Sequence, residues 1–184
     1  PATHDLAASE GPVETVETHI SAVFLAGPRA FKLKRAVRLP YADFSTPEDR
    51  LAACEKELAL NRPTAPELYL RVRRITRAAG GGLAFDGAGP LVDAVVEMAR
   101  FDQDALLDRL AGRGALTEPL VRSLAEEIAA AHETAPVTRD ESGRANIAGV
   151  LDINRAGFGE SSLFGAAEIA AIDEAFRTRL DAHA

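Results

Sequence analysis

The sequence predicts an α+β protein, in which an antiparallel, strand-rich first half receives one inserted helix and is followed by a helical second half. Three observations carry this. Short apolar or alternating runs separated by turn signals occupy residues 13–98, one strong helix start interrupts them at residues 45–49, and strand signals cease after Arg100.

Taken in order, Val13–Glu17, Ala22–Leu25 and Ala30–Lys34 read as strands of a meander. Gly27-Pro28 marks the turn between the second and third, since glycine permits positive φ and proline fixes its own. Ser45-Thr46-Pro47-Glu48-Asp49 then opens a helix. Thr46 is placed to cap it, Pro47 suits the first helical position and Asp49 completes a variant capping box, so the helix should run to about Asn61. Pro63 and Pro66 end it, and Leu68–Ile75 resumes as a strand with Leu68, Leu70 and Val72 alternating. Glycine-rich stretches flank a short Leu83-Ala84-Phe85 piece, and Val92–Met98 is the last strand, giving about five in all.

Beyond Arg100, a short helix is expected over Ala105–Leu110 and a longer one over residues 117–134, with Leu120, Leu124, Ile128 and His132 four apart on one stripe. On that stripe His132 reads as a hydrogen-bonded core histidine. Residues 136–162 read as loop, with at most a short helix near Ile147–Ile153. The final helix, about Ala166–Ala182, carries Ile169, Ile172, Phe176 and Leu180 on one face.

Composition excludes several classes. With 47% apolar and 27% charged residues among 184, the chain is a globular protein rather than a disordered or fibrous one. A net charge of −7 opposes general nucleic-acid binding, and an anionic ligand would need a local basic pocket. No apolar run approaches the roughly 20 residues of a membrane helix. The single cysteine, Cys54, precludes an internal disulfide, and a reducing cytoplasm is the expected location.

The order of elements is that of a protein-kinase-like fold, and three local runs sharpen the likeness: residues 17–27, Glu-Thr-His-Ile-Ser-Ala-Val-Phe-Leu-Ala-Gly; residues 30–34, Ala-Phe-Lys-Leu-Lys; and residues 54–62, Cys-Glu-Lys-Glu-Leu-Ala-Leu-Asn-Arg. Together they resemble the front of a bacterial family that joins an aminoglycoside-phosphotransferase-like half to a P-loop ATPase half. The resemblance implies an antiparallel five-stranded N-lobe with one inserted helix over residues 1–99, and an incomplete helical C-lobe over residues 100–184. It implies ATP between the lobes, Mg²⁺ and a small-molecule hydroxyl as acceptor, while charge and hydropathy give the expectation of no nucleic-acid and no membrane partner.

Residue by residue, Ala30-Phe31-Lys32 is similar to the third-strand Ala-x-Lys of kinases, whose lysine reaches the ATP phosphates and is held by a helix glutamate. Lys34 points to the same side and competes with Lys32 for this role. On the helix, Glu55 and Glu57 flank the apolar stripe drawn through Leu51, Cys54, Leu58 and Leu60; including Leu60 favours Glu57 as partner. Val95–Ala99 is similar to the segment joining the lobes, where main-chain groups of Glu97 and Ala99 would meet adenine. Kinases cover the phosphates with a glycine-rich loop; Thr18-His19-Ile20-Ser21 stands here instead, and the hydroxyl of Thr18 or Ser21 would have to substitute.

The sequence contains no His-x-Asp catalytic loop with its following asparagine and no Gly-x-x-x-x-Gly-Lys. Asp102-Gln103-Asp104 opens a helix, where acids meet the positive dipole end. The catalytic loop and Mg²⁺ ligands are therefore expected after Ala184, leaving this stretch an inactive part of a phosphotransferase. The alternative is a nucleotide-binding pseudokinase module, and a third reading is an interaction domain built on the amphipathic last helix. An apolar face left uncovered would favour self-association.

Overall fold

The computed structural model describes residues 12–137, 139 and 142–183. Among the described residues the architecture is α+β, with a six-stranded and a two-stranded antiparallel sheet and five α-helices. The strands are β1 (Glu14–Glu17), β2 (Ser21–Ala26), β3 (Arg29–Lys34), β4 (Arg38–Leu39), β5 (Ala42–Asp43), β6 (Tyr69–Arg77), β7 (Leu83–Phe85) and β8 (Leu91–Ala99). The helices are α1 (Pro47–Asn61), α2 (Leu107–Gly112), α3 (Glu118–Thr134), α4 (Gly143–Gly159) and α5 (Ala166–His183). No helix among the described residues is long and apolar enough to cross a membrane.

Two units divide the chain. The first comprises residues 1–37 and 44–134, the second residues 38–43 and 135–184. The first unit thus carries α2 and α3 along with the sheet, whereas the sequence reading drew its boundary at 99/100.

In the first unit six strands, not five, run in the order β1-β2-β3-β8-β6-β7. The sixth is Leu83–Phe85, which pairs with β6 at the sheet edge. Gly27 and Pro28 form the two-residue loop between Ala26 and Arg29; Gly27 has φ 53°, the conformation that a tight hairpin asks of its first central residue. Along β6 the expected alternation of Leu68, Leu70 and Val72 fails, because an irregularity between Tyr69 and Arg71 inserts a residue. Leu68, Tyr69 and Val72 pack on the core instead.

Helix α1 starts as the sequence dictates: the Thr46 hydroxyl accepts from the Asp49 N–H, the Asp49 carboxylate returns the bond, and Pro47 occupies the first turn. One sheet face meets this helix. Leu25, Ala30, Cys54, Ala94, Val96 and Met98 form the buried core there, with Val23, Leu51, Leu68, Tyr69 and Val72 at its margin.

On the other face Phe31 of β3 stacks on Phe85 of β7 with ring centroids 5.7 Å apart. Those strands are three positions apart, roughly 14 Å on a flat sheet. The stack therefore requires a strongly coiled sheet that is concave on that side.

Within the first unit α3 buries no residue, and Leu120, Leu124 and Ile128 are exposed. His132 is exposed too, so it is not the core histidine its stripe suggested. In the second unit β4 pairs with β5 as a small hairpin, which the sequence reading did not anticipate. Residues 143–159, read as mostly loop, form the 17-residue helix α4, capped by the Ser142 hydroxyl on the Ala145 N–H. Glycines at 143, 149, 157 and 159 obscured its period, yet Leu151 is buried and the helix packs on α5. Ion pairs Arg177–Asp152, Arg155–Asp173 and Arg144–Asp181 link those two helices.

Candidate functional site

Registry sets the site. In antiparallel pairing, opposed residues share a face, and Ser21 lies across from Lys34 as Val23 lies across from Lys32. Both lysines therefore stand on the face that α1 covers. Their aliphatic stems run along the margin of the core and leave the ammonium groups to find a counter-charge.

Glu57 supplies it. Lys32 Nζ donates to Glu57 Oε1 at 2.8 Å, and Lys34 Nζ donates to Glu57 Oε2. The two competing lysines are thus both partners, and neither displaces the other. Lys34 is the more deeply set, with its side chain 8% exposed against 30% for Lys32 and 11% for Glu57. Its ammonium also lies 5.7 Å from the centre of the Phe44 ring.

Glu57 reaches this position for a reason other than the one its sequence suggested. Leu60 is 66% exposed and no part of the buried stripe. The inward line of α1 runs from the buried Arg50 and Cys54 to the half-buried Glu57, spaced four and then three apart, which is one face of a helix. Glu55 is exposed and lines an open pocket with Leu58, Ala59, Arg62, Pro63 and Val72.

Electrostatics follow from this burial. Desolvation alone would raise the Glu57 carboxyl, but hydrogen bonds and charge from Lys32 and Lys34 outweigh it and hold the group below the ordinary glutamate value. Burial pushes the Cys54 thiol up to about 11, against a smaller opposing pull from Lys34. Tyr69 is raised by burial and by the nearby Glu57 charge.

The loop between β1 and β2 does not present its hydroxyls as expected. Thr18 donates both its N–H and its hydroxyl to the Ser21 carbonyl, and accepts from the Ser21 N–H at 3.0 Å. The turn closes on itself, spending Thr18. Ser21 is only 1% exposed, so it is no surface donor; its hydroxyl, on the Lys34 face, has no hydrogen-bond partner among the described residues.

The main-chain groups assigned to adenine lie inside the sheet. Glu97 sits in β8 opposite Phe31 on one side and Arg71 on the other. Ala99 donates its N–H to the Leu68 carbonyl, and Arg100 donates its own to Pro28. These two donors are therefore taken up within the fold rather than offered to a ligand. The Glu97 side chain, 4% exposed, faces the concave side and meets Arg71 at 2.7 Å, Arg29 at 3.6 Å and Arg73 at 3.7 Å.

Sequence reasoning also missed Arg50. Its guanidinium is buried, donating to Asp93 at 2.8 Å and to the Phe44 and Ser45 carbonyls. An arginine seven residues before Glu57 on the same helical line was the available signal. Asp102 acts as expected, capping the short turn that follows it by accepting from the Asp104 N–H. Among the described residues no group of three His, Cys, Asp or Glu is arranged to hold a metal ion.

No family model matches the sequence, and no solved structure matches it. The chain is similar to an uncharacterized protein of Mycobacterium tuberculosis, Rv2004c, and to one of Mycobacterium bovis, Mb2027c. Each is 32% identical over 127 residues, covering 69% of this chain and 24% of the relative. The matched stretch is thus about a quarter of the length of those curated relatives, and their names assign no activity.

Proposed function

We propose that the chain is the N-terminal part of an ATP-dependent phosphotransferase with a protein-kinase-like fold, related to the aminoglycoside phosphotransferases and acting on a small-molecule hydroxyl. The observation that carries the reading is the meeting of Lys32, on the third strand, with Glu57, on the one helix inserted in the sheet, at 2.8 Å. Kinases position the lysine that meets the ATP phosphates through this strand-to-helix ion pair. A second lysine beside it adds cationic character to a protein that is acidic overall.

The residues fit a polyphosphate better than they fit a whole nucleotide. Lys32 keeps enough exposure to turn toward an anion while Glu57 retains Lys34. An adenine contact would have to come from residues past Ala99. A bound Mg²⁺ would neutralise charge on the phosphates, and the described residues assemble no carboxylate cluster for it.

A second reading, a nucleotide-binding module without transfer, is favoured by the self-closed Thr18–Ser21 turn, since it offers no glycine-rich cradle. Titration calorimetry with MgATP tests the first step common to both. Lys32→Met should weaken binding about 10- to 100-fold, the effect of losing one charge-assisted contact. Wild-type protein that binds no nucleotide would sink both readings. Transfer of the γ-phosphoryl group to an aminoglycoside or another hydroxyl compound by the full natural protein separates the enzyme from the module.

A further inference from the structure

The sheet carries a second charged cluster, on the face away from α1. Residues opposed across an antiparallel ladder share a face, and the register sets Phe31, Glu97 and Arg71 in one row across β3, β8 and β6. Arg29 lies two residues from Phe31 and Arg73 two residues from Arg71, so they join the same face. Glu97 is the centre. Its side chain is 5% exposed; Arg71 Nε lies 2.7 Å from one carboxylate oxygen and Arg29 Nε lies 3.6 Å from the other.

The three arginines are not equivalent. Arg73 is enclosed and spent on the fold: its Nε donates to Asp86 at 2.8 Å, and its guanidinium stands 4.5 Å from the centre of the Phe85 ring, which stacks on Phe31. Arg71 is anchored on Glu97 yet keeps 55% of its side chain exposed. Arg29, at 47%, stays beyond hydrogen-bond reach of Glu97 and donates no hydrogen bond among the described residues.

As an internal network the cluster holds more positive charge than it uses. Three guanidinium groups meet two carboxylates, those of Glu97 and Asp86, in a protein whose net charge is −7. The acid that β1 adds to this face, Glu17, is remote from Arg29: it pairs with Ala22 whereas Arg29 pairs with Ala26, a separation of about 13 Å along β2. Two guanidinium groups drawn to opposite oxygens of one enclosed carboxylate are kept side by side against their repulsion. Their planar, weakly hydrated donor edges match the geometry of an oxyanion.

We propose that Arg29 and Arg71, gathered by Glu97, form a binding site for the phosphate or carboxylate group of a small molecule, on the opposite face of the sheet from Lys32. The anion lies over the exposed edges of both guanidinium groups, and Arg73 with the Phe31–Phe85 stack forms the floor beneath. The site is independent of the nucleotide reading, and either can fail without the other.

Titration of the 184-residue chain with inorganic phosphate, and separately with citrate, followed by NMR at the arginine Nε–H groups, makes the test. The Arg29 and Arg71 signals should shift saturably, with a dissociation constant of about 1–10 mM. Arg29→Gln gives up no hydrogen bond within the protein, so it should fold as wild type, which circular dichroism verifies, and should weaken the binding read at Arg71 about 10-fold. Lys32→Met should leave the Arg71 titration unchanged. Whichever anion saturates at the lower concentration identifies the ligand's group. Shifts that grow without saturating, or that are equal at every exposed arginine, would mean general screening and overturn the proposal. An Arg71 titration unaltered by Arg29→Gln, or abolished by Lys32→Met, overturns it as well.

Discussion

Arg50 Nε lies 2.8 Å from Asp93 Oδ1, tying the first turn of α1 to the start of β8 across 43 residues of sequence. The same guanidinium donates to the carbonyls of Phe44 and Ser45 and, at 3.4 Å, to that of Val92. One buried cation thus fixes the entry of the helix, the segment leading into it and the strand beneath. Everything that α1 presents further along, Cys54 and then Glu57, depends on that anchorage.

Replacing Arg50 with methionine keeps much of the packing volume and strands Asp93. We expect a loss of about 3–5 kcal/mol in urea unfolding, the usual cost of removing one partner from a buried pair. The partial exposure of Asp93 sets the expectation at the lower end of that range. A loss below about 1 kcal/mol, the scale of a surface pair, would mean that the helix is held by its apolar contacts alone.

Glu57 and its two lysines should respond unequally to substitution. Glu57→Ala leaves the buried Lys34 ammonium without its carboxylate and should cost about 3–5 kcal/mol. Lys32→Met removes a partly exposed partner while Glu57 keeps Lys34, so about 1 kcal/mol or less is expected. Chemical denaturation of both variants checks the ranking, and equal costs would contradict the asymmetric burial.

How much of this was legible beforehand varied with the kind of signal. Capping chemistry is local, and Thr46, Pro47 and Asp49 located α1 to the residue. Faces of helices are set by tertiary packing: Leu60 looked buried because it is leucine, yet it points to solvent, while the charged Arg50 lies in the core. Glu57 was selected from a stripe that included the wrong residue. Main-chain availability was out of reach, since whether Glu97 and Ala99 have free edges depends on pairing with β3 and β6. Helix α4 stayed hidden behind its glycines, and only burial of Leu151 against α5 reveals the period.

Stability should fall in acid with a contribution from Glu57. Its folded pKa lies below the ordinary glutamate value of 4.5, so its stabilising effect is fully present above that value and is lost as pH falls through the depressed one. Comparing wild type with Glu57→Gln from pH 7 to pH 2 isolates the effect. The difference in unfolding free energy should be constant above pH 5 and shrink below about 4.5. A difference that shrinks instead between pH 7 and 6 would mean a raised carboxyl, and an unpaired one.

Cys54 should be inert while the protein is folded. Burial pushes its thiol up to about 11, its side chain is fully enclosed, and its sulfur lies 3.8 Å from the Ala94 carbonyl. A thiol reagent requires both access and thiolate. At pH 8 the native protein should react at least about 100-fold more slowly than a free thiol of ordinary pKa, scaling with the thiolate fraction, and unfolding in urea should restore full reactivity. Rapid labelling of folded protein would show that α1 opens from the sheet on the timescale of the reaction.

The turn before β8 offers the sharpest steric test. Gly89 lies so close to β6 that an added Cβ would stand 1.8 Å from the Arg77 carbonyl oxygen, a main-chain atom with no freedom to swing aside. At Gly87 the added Cβ would meet the Thr76 hydroxyl at 2.6 Å, where a rotamer change offers partial relief. Both glycines lie in the turn that follows Asp86, whose carboxylate accepts from Arg73 Nε and from the Arg74 N–H of β6. Gly89→Ala should therefore destabilise more than Gly87→Ala, by more than 2 kcal/mol against about 1–2 kcal/mol. Since the Arg77 N–H donates to the Pro90 carbonyl, the first substitution should also speed hydrogen exchange at Arg77. Equal losses in the two variants would place the constraint in the loop's flexibility rather than in its close approach to β6.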